Sequence, residues 1–233
     1  MQDNLVEREM RSRKAVMCFY RFFYFLFATS WGYSIIKDTD YMPKSLMGKG
    51  DYRNAFKNFW FHDHEPELAN YFLITAGYHI ASLFTHFLEN RKNDFLEMGL
   101  HHIVALYLFG GVYTSNFFEC GSVLAVLHDV ADIGTNWCKF WSDTTLSNFT
   151  VVSFLFYLAT WFWTRCIVLP ILIYGTWTYA PPHPDLELKF LMPVFCYLLS
   201  IMFMLHCYWF YLFLKMLKKF VKTGKAEDGQ NKI

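Results

Sequence analysis

The sequence predicts an all-α polytopic transmembrane bundle of about six spans. Three observations carry the prediction. The 233 residues are 55% hydrophobic and 21% aromatic but only 18% charged, against roughly 25% charged in soluble globular chains. Twenty-six Phe, fifteen Tyr and eight Trp exceed what one soluble core of this size hides, and the low charge excludes a disordered or fibrous chain. Six stretches approach the roughly 20 apolar residues that cross a hydrocarbon core of about 30 Å. A net charge of +1 lacks the basic surplus of a nucleic-acid binder.

Residues 1–14 read as a polar cytosolic arm with Glu7, Arg8, Glu9, Arg11, Arg13 and Lys14. The first apolar run, 15–36, is broken only by Arg21 and has no small-residue cleavage site, so it reads as a retained anchor. The second, 68–88, holds His79 and His86. The third, 99–118, opens on His101 and His102. The fourth, 120–138, is apolar apart from Asp129 and Asp132. The fifth, 147–179, contains Arg165 and Pro170 and would run about 50 Å as one helix; it reads as one tilted or Pro-kinked span with an interfacial extension, the alternative being two short segments that reverse the C-terminus. The sixth, 190–214, contains His206, and 221–233 form a polar tail. The aromatic stripes Phe22–Phe25, Trp161 and Trp163 read as lipid-facing or belt residues.

Six spans put both termini on one side. Thirteen Lys and Arg fall in the arm, second loop, fourth loop and tail, and six in the opposite loops, so both termini are expected in the cytosol. The sequon Asn148-Phe149-Thr150 then faces the cytosol and stays unmodified; a glycan on Asn148, detected as an endoglycosidase-sensitive gel shift, would overturn this orientation. The six cysteines stand singly without a CxxC, which gives no disulfide or zinc framework.

Ionisable groups inside spans cost a few kcal/mol on insertion scales and usually face a cavity. His101 and His102 lie one turn inside the cytosolic end of their span, and in the next span Asp132 and His128 lie about 10 and 16 Å from the end near Lys139. His79, His86 and His206 fall in the same half, where each taken singly reads as a helix-to-helix hydrogen-bonder. His128 and Asp132, at i and i+4, share a face, and an Asp beside a His orients the imidazole as base or nucleophile. Adjacent His101 and His102 point about 100° apart, so one of them is expected to face the Asp pair. Arg165 is deep in its span, with no partner evident from the sequence. The repeated HxxxH and HxxHH boxes of membrane di-iron enzymes are absent, and a His101, His128, Asp132 metal triad is the weaker reading.

The stretch from Arg91-Lys92 through His101-His102, Tyr113, Asn116 and Gly121 to His128-Asp129-Val130-Ala131-Asp132 and Lys139 resembles the longevity-assurance motif of ceramide synthases. The likeness extends over about residues 15–220, the TLC domain, including Arg21-Phe22, Trp163-Thr164-Arg165 and His206 to Trp209. The resemblance implies an endoplasmic-reticulum acyltransferase that joins a fatty acyl group from acyl-CoA to the amine of a sphingoid base, with His101, His102, Asp129, Asp132 and His128 as catalytic groups. It further implies Arg91, Lys92, Tyr113, Asn116, Arg165, His206 and Lys215 as substrate contacts. No tightly bound cofactor and no metal is expected; acyl-CoA is a co-substrate, and a homo- or hetero-dimer is left open. The competing readings are a non-catalytic TLC-domain lipid-binding or translocon-associated protein, and acyl transfer to another amine or alcohol. Departures from the family pattern stand at Ala105, Val112, Glu119, Thr135 and Asn136. The chain is expected to start almost at the TLC domain, without a preceding span or a homeobox-like insert.

Overall fold

The computed structural model describes residues 2–57, 60, 63–64, 66–89, 93–142, 147–182, 185 and 189–223. Among these residues no strand forms, and one isolated bridge joins Pro43 to Gly50. The helices are α1 (Gln2–Ile36), α2 (Pro66–Leu88), α3 (Phe95–Thr114), α4 (Phe118–Trp141), α5 (Ser147–Trp161), α6 (Leu169–Tyr179) and α7 (Leu191–Thr223). A π-helical segment, Phe162–Val168, fuses α5 to α6. The long fifth region is therefore a single continuous helix. Pro170 has no N–H to give the ladder, and the Leu169 N–H reaches back five residues to the Thr164 carbonyl, so the π turn absorbs the mismatch ahead of the proline.

With α5, the π segment and α6 taken as one, six long helices form the bundle among the described residues. α1 is longer than its expected span because the charged arm continues the helix. By length and composition, three helices among the described residues suffice to cross a membrane: Phe95–Thr114, Phe149–Tyr179 and Leu191–Lys222. The expected spans on α1, α2 and α4 are helical too, but carry more polar groups. For α4 the reason is its place at the centre of the bundle. Fourteen of its residues are buried, Asp129 and Asn136 included, so its neighbours shield it from lipid and its polar groups meet protein.

The segment after α1 folds over one end of the bundle. Met42 and Ala55 are fully buried, Tyr52 and Thr176 share a 3.0 Å hydrogen bond, and the Trp163 indole donates to the Ser45 carbonyl at 3.3 Å. Burial pushes the Tyr41 phenol up to about 12, which keeps it neutral within this cap. The aromatic stripes divide by burial. Phe23 and Trp163 are about half exposed, whereas Phe25 and Trp161 are buried, Tyr24 stacks on Tyr78 at 3.7 Å and Phe22 meets Trp137 at 5.0 Å. These buried and half-buried rings fill helix-to-helix contacts instead of facing lipid.

Candidate active site

Arg165, 1% exposed, is the hub of the polar cluster. The π segment aims it at α4 and α7. One guanidinium nitrogen lies 2.6 Å from His206 Nε2, the other donates to the His128 carbonyl at 2.9 Å and lies 3.4 Å from Asp132 Oδ2. The cation also sits 5.0 Å over the Trp161 ring. An arginine only donates, so His206 Nε2 is the acceptor and the ring is neutral, with its proton on Nδ1. His128 is fixed differently. Its Nδ1 lies 2.6 Å from the Leu124 carbonyl, which can only accept, so Nδ1 carries the proton and Nε2 presents a buried lone pair with no hydrogen-bond partner.

The imidazoles gather around this hub. Ring centroids are 5.2 Å apart for His128 and His206, 5.8 Å for His101 and His206, and 5.6 Å for both His101 with His102 and His86 with His102. Asp129, 2% exposed, accepts a 3.1 Å hydrogen bond from the Tyr71 hydroxyl of α2.

Two cavities meet here. A polar vestibule opens at the end of the bundle where α2 meets α3, between Arg21, Glu89, Asp94 and Lys139, and descends past His86 and His102 to His79, His101 and Asp132. An apolar cavity starts from His79, His101, His128, Asp129 and Asp132 and runs between Ala105, Leu108, Leu124, Ala125, Leu199 and Met202 towards Phe72, Val112, Gly121 and Phe195. His79, His101 and Asp132 line both. Of the adjacent histidines, His101 occupies the junction and His102 the vestibule wall, as their angular separation on one helix requires.

The structure thus brings His101, His102, His128, Asp129, Asp132, Arg165 and His206 together. Tyr113 and Asn116 lie elsewhere. They sit at the α3–α4 turn, about 18 Å along α3 from His101, and line neither cavity; Tyr113 is 48% exposed against Phe118, and Asn116 takes the left-handed backbone with φ 61 that reverses the chain. Lys215 is exposed on α7, beyond the vestibule lining. Arg91 and Lys92 lie outside the described residues. Glu119 is in the first turn of α4, ten residues from Asp129 and remote from the cluster, whereas Asn136 lines the vestibule and donates to the Asp132 carbonyl at 2.8 Å. Among the described residues no three His, Cys, Asp or Glu side chains are arranged to hold a metal ion.

Sequence reasoning missed Tyr71 and discounted His79 and His86. A signal for Tyr71 and His86 exists: Tyr71, Thr75, Tyr78, Ser82 and His86 recur at spacings of four, three, four and four, a polar stripe along one face of an otherwise apolar helix.

Comparison with known proteins supplies the lineage. The TLC domain model matches residues 14–215. Ceramide synthase hyl-1 of Caenorhabditis elegans is 24% identical over 94% of this chain and 60% of its own length. Human ceramide synthase 4 is 26% identical over 95% of this chain and 54% of its own length, and ceramide synthase hyl-2 of Caenorhabditis elegans 25% identical over 96% and 69%. The chain spans little more than half the length of the first two. A match across nearly the whole helical bundle, with the buried His and Asp cluster inside it, makes the chain a member of the TLC domain family, with ceramide synthases among its relatives.

Proposed function

We propose that the protein is a sphingoid-base N-acyltransferase of the ceramide synthase type. One observation carries the proposal: a polar vestibule and an apolar cavity meet at His101 and Asp132. That is the shape required by a thioester whose head is a charged nucleotide and whose tail is an alkyl chain. The tail fills the apolar cavity, the thioester carbonyl rests beside His101, and the nucleotide leaves through the vestibule. Its phosphates meet Arg21 and Lys139 at the mouth.

Aminolysis of a thioester needs a neutral amine and a group to take its second proton. Asp132, open to the vestibule, takes the first proton of the incoming ammonium and orients the neutral amine. His101 either takes the second proton as the amine nitrogen attacks the carbonyl carbon, or attacks that carbon first and takes that proton as the amine displaces it from the acyl group. In both routes the C–S bond breaks, the CoA thiolate departs and an amide forms. Arg165 fixes Asp132, and Tyr71 fixes Asp129.

Six helical passes, with α4 shielded at the centre, cross the endoplasmic-reticulum membrane with both termini in the cytosol, where acyl-CoA is supplied. The test is purified protein in liposomes with labelled acyl-CoA and sphinganine, read by mass spectrometry. An N-acyl sphinganine product is expected; folded protein that makes none at any chain length overturns the proposal and favours a lipid-binding role.

Tyr71→Phe removes only the donor to Asp129. A hydrogen bond of this kind is worth about 0.5–1.5 kcal/mol, so kcat falls by about 2- to 12-fold while KM for acyl-CoA stays near the wild-type value. Steady-state kinetics that show an unchanged kcat would remove Tyr71 from the machinery.

A further inference from the structure

The apolar cavity has a floor. A Cβ built on Gly121 would lie 2.6 Å from a Val112 methyl and 3.0 Å from Phe72 Cζ, so Val112 and Phe72 close directly over that glycine. Beneath them is a layer of packed rings: Phe72 meets Phe118 edge-on at 5.3 Å, Phe117 meets Phe195 at 5.5 Å, and Trp60 meets Phe117 at 5.1 Å. Phe117 is 1% exposed. The Trp60 indole donates to the Pro182 carbonyl at 3.1 Å, tying the layer to the segment that follows α6. Edge-to-face ring packing of this kind is stiff as well as apolar.

The depth from junction to floor follows from helix geometry. His101 and Val112 are separated by about 16 Å along α3, and Asp129 and Gly121 by about 12 Å along α4. A fully extended peptide gains at most 3.3–3.6 Å per three backbone bonds, so a zigzag chain gains about 1.2 Å per bond, and about ten to fourteen carbons fit beyond the carbonyl.

Resting on the acyl-transfer reading above, we propose that Phe72, Val112, Gly121 and Phe195 form the stop of the acyl tunnel and select medium- to long-chain donors, of about 11 to 15 carbons in all, over very-long-chain ones. A longer tail would have to fold back or displace the aromatic layer. One extra methylene that a pocket cannot seat discriminates about 10-fold or more.

Three variants move the floor in opposite directions. Phe195→Ala and Val112→Ala deepen the tunnel. Ala125→Leu, one helical turn nearer the junction, shortens it by about 5 Å, or about four carbons. The measurements are kcat/KM across acyl-CoAs of about 10 to about 24 carbons with sphinganine, and photolabelling of the wild type by acyl-CoAs that carry a terminal diazirine. The expected result is a preference that moves up by at least about 10-fold for the longer donors in the first two variants and down in the third. A terminal diazirine of matching length should label the peptides that contain Val112, Gly121 or Phe195. Opposed shifts cannot come from misfolding. Amide product with an unmoved profile and label elsewhere overturns the floor while leaving the transferase reading intact. Label at the floor with no amide product overturns the transferase reading while leaving the floor, and the absence of both product and label overturns both.

Discussion

His101→Ala lowers kcat for acyl transfer by about 10²- to 10⁴-fold, the range for loss of a positioned acid–base group. His101 lines both cavities, as His79 does, and of the adjacent pair on α3 it is the imidazole placed at the junction, where the carbonyl rests. His102 is held on the vestibule wall beside His86, and His102→Ala loses less, about 10-fold, chiefly through the vestibule's grip on the donor. Intact mass of wild-type protein given acyl-CoA without amine separates the two roles of His101: an acyl adduct that is absent from His101→Ala identifies a nucleophile, and no adduct identifies a base. Full turnover in both alanine variants would remove His101 and His102 from the chemistry and overturn this mechanism.

Arg165→Met destabilises the fold by about 3–5 kcal/mol, the cost of stripping the partner from a buried ion pair. Three groups lose their donor at once: Asp132, His206 Nε2 and the His128 carbonyl. The Asp132 side chain keeps 28% exposure through the vestibule, which places the loss in the lower half of that range. For a chain of this size that lower half, about 3–4 kcal/mol, corresponds to about 6–16 °C in melting temperature. Pairing the change with Asp132→Asn recovers part of the loss, because the stranded carboxylate is then neutral. Arg165→Lys recovers little, since one ammonium cannot satisfy acceptors held by a planar fork on two helices. A melting temperature within about 2 °C of wild type for Arg165→Met would show that the hub does not hold the bundle together.

Much of this was legible because a membrane raises the cost of charge. In a chain with 18% charged residues, each ionisable group inside an apolar run stands out, and His101, His102, His128, Asp129, Asp132, Arg165 and His206 all end in one cluster. The resemblance named the motif residues, but motif membership does not place a side chain. Tyr113 and Asn116 belong to the same stretch and sit at the opposite end of the bundle, where Asn116 serves the turn. Glu119, a departure in that stretch, is equally remote, while Asn136 borders the vestibule.

The helical class, the six apolar runs and the depth at which the polar groups lie follow from composition and from the fixed rise of a helix. The direction each group faces does not follow, because the rotation of one helix against another is set by packing between segments far apart in sequence. Arg165 meets His206 across 41 positions, and Tyr71 meets Asp129 across 58. The π segment adds to this: it changes the angular phase of its helix midway, so no uniform period locates the Arg165 side chain. The floor of the apolar cavity exists only where α2, α3, α4 and α7 converge on Gly121, and that convergence, set by how closely two helices approach a missing Cβ, is a property of the packed bundle alone.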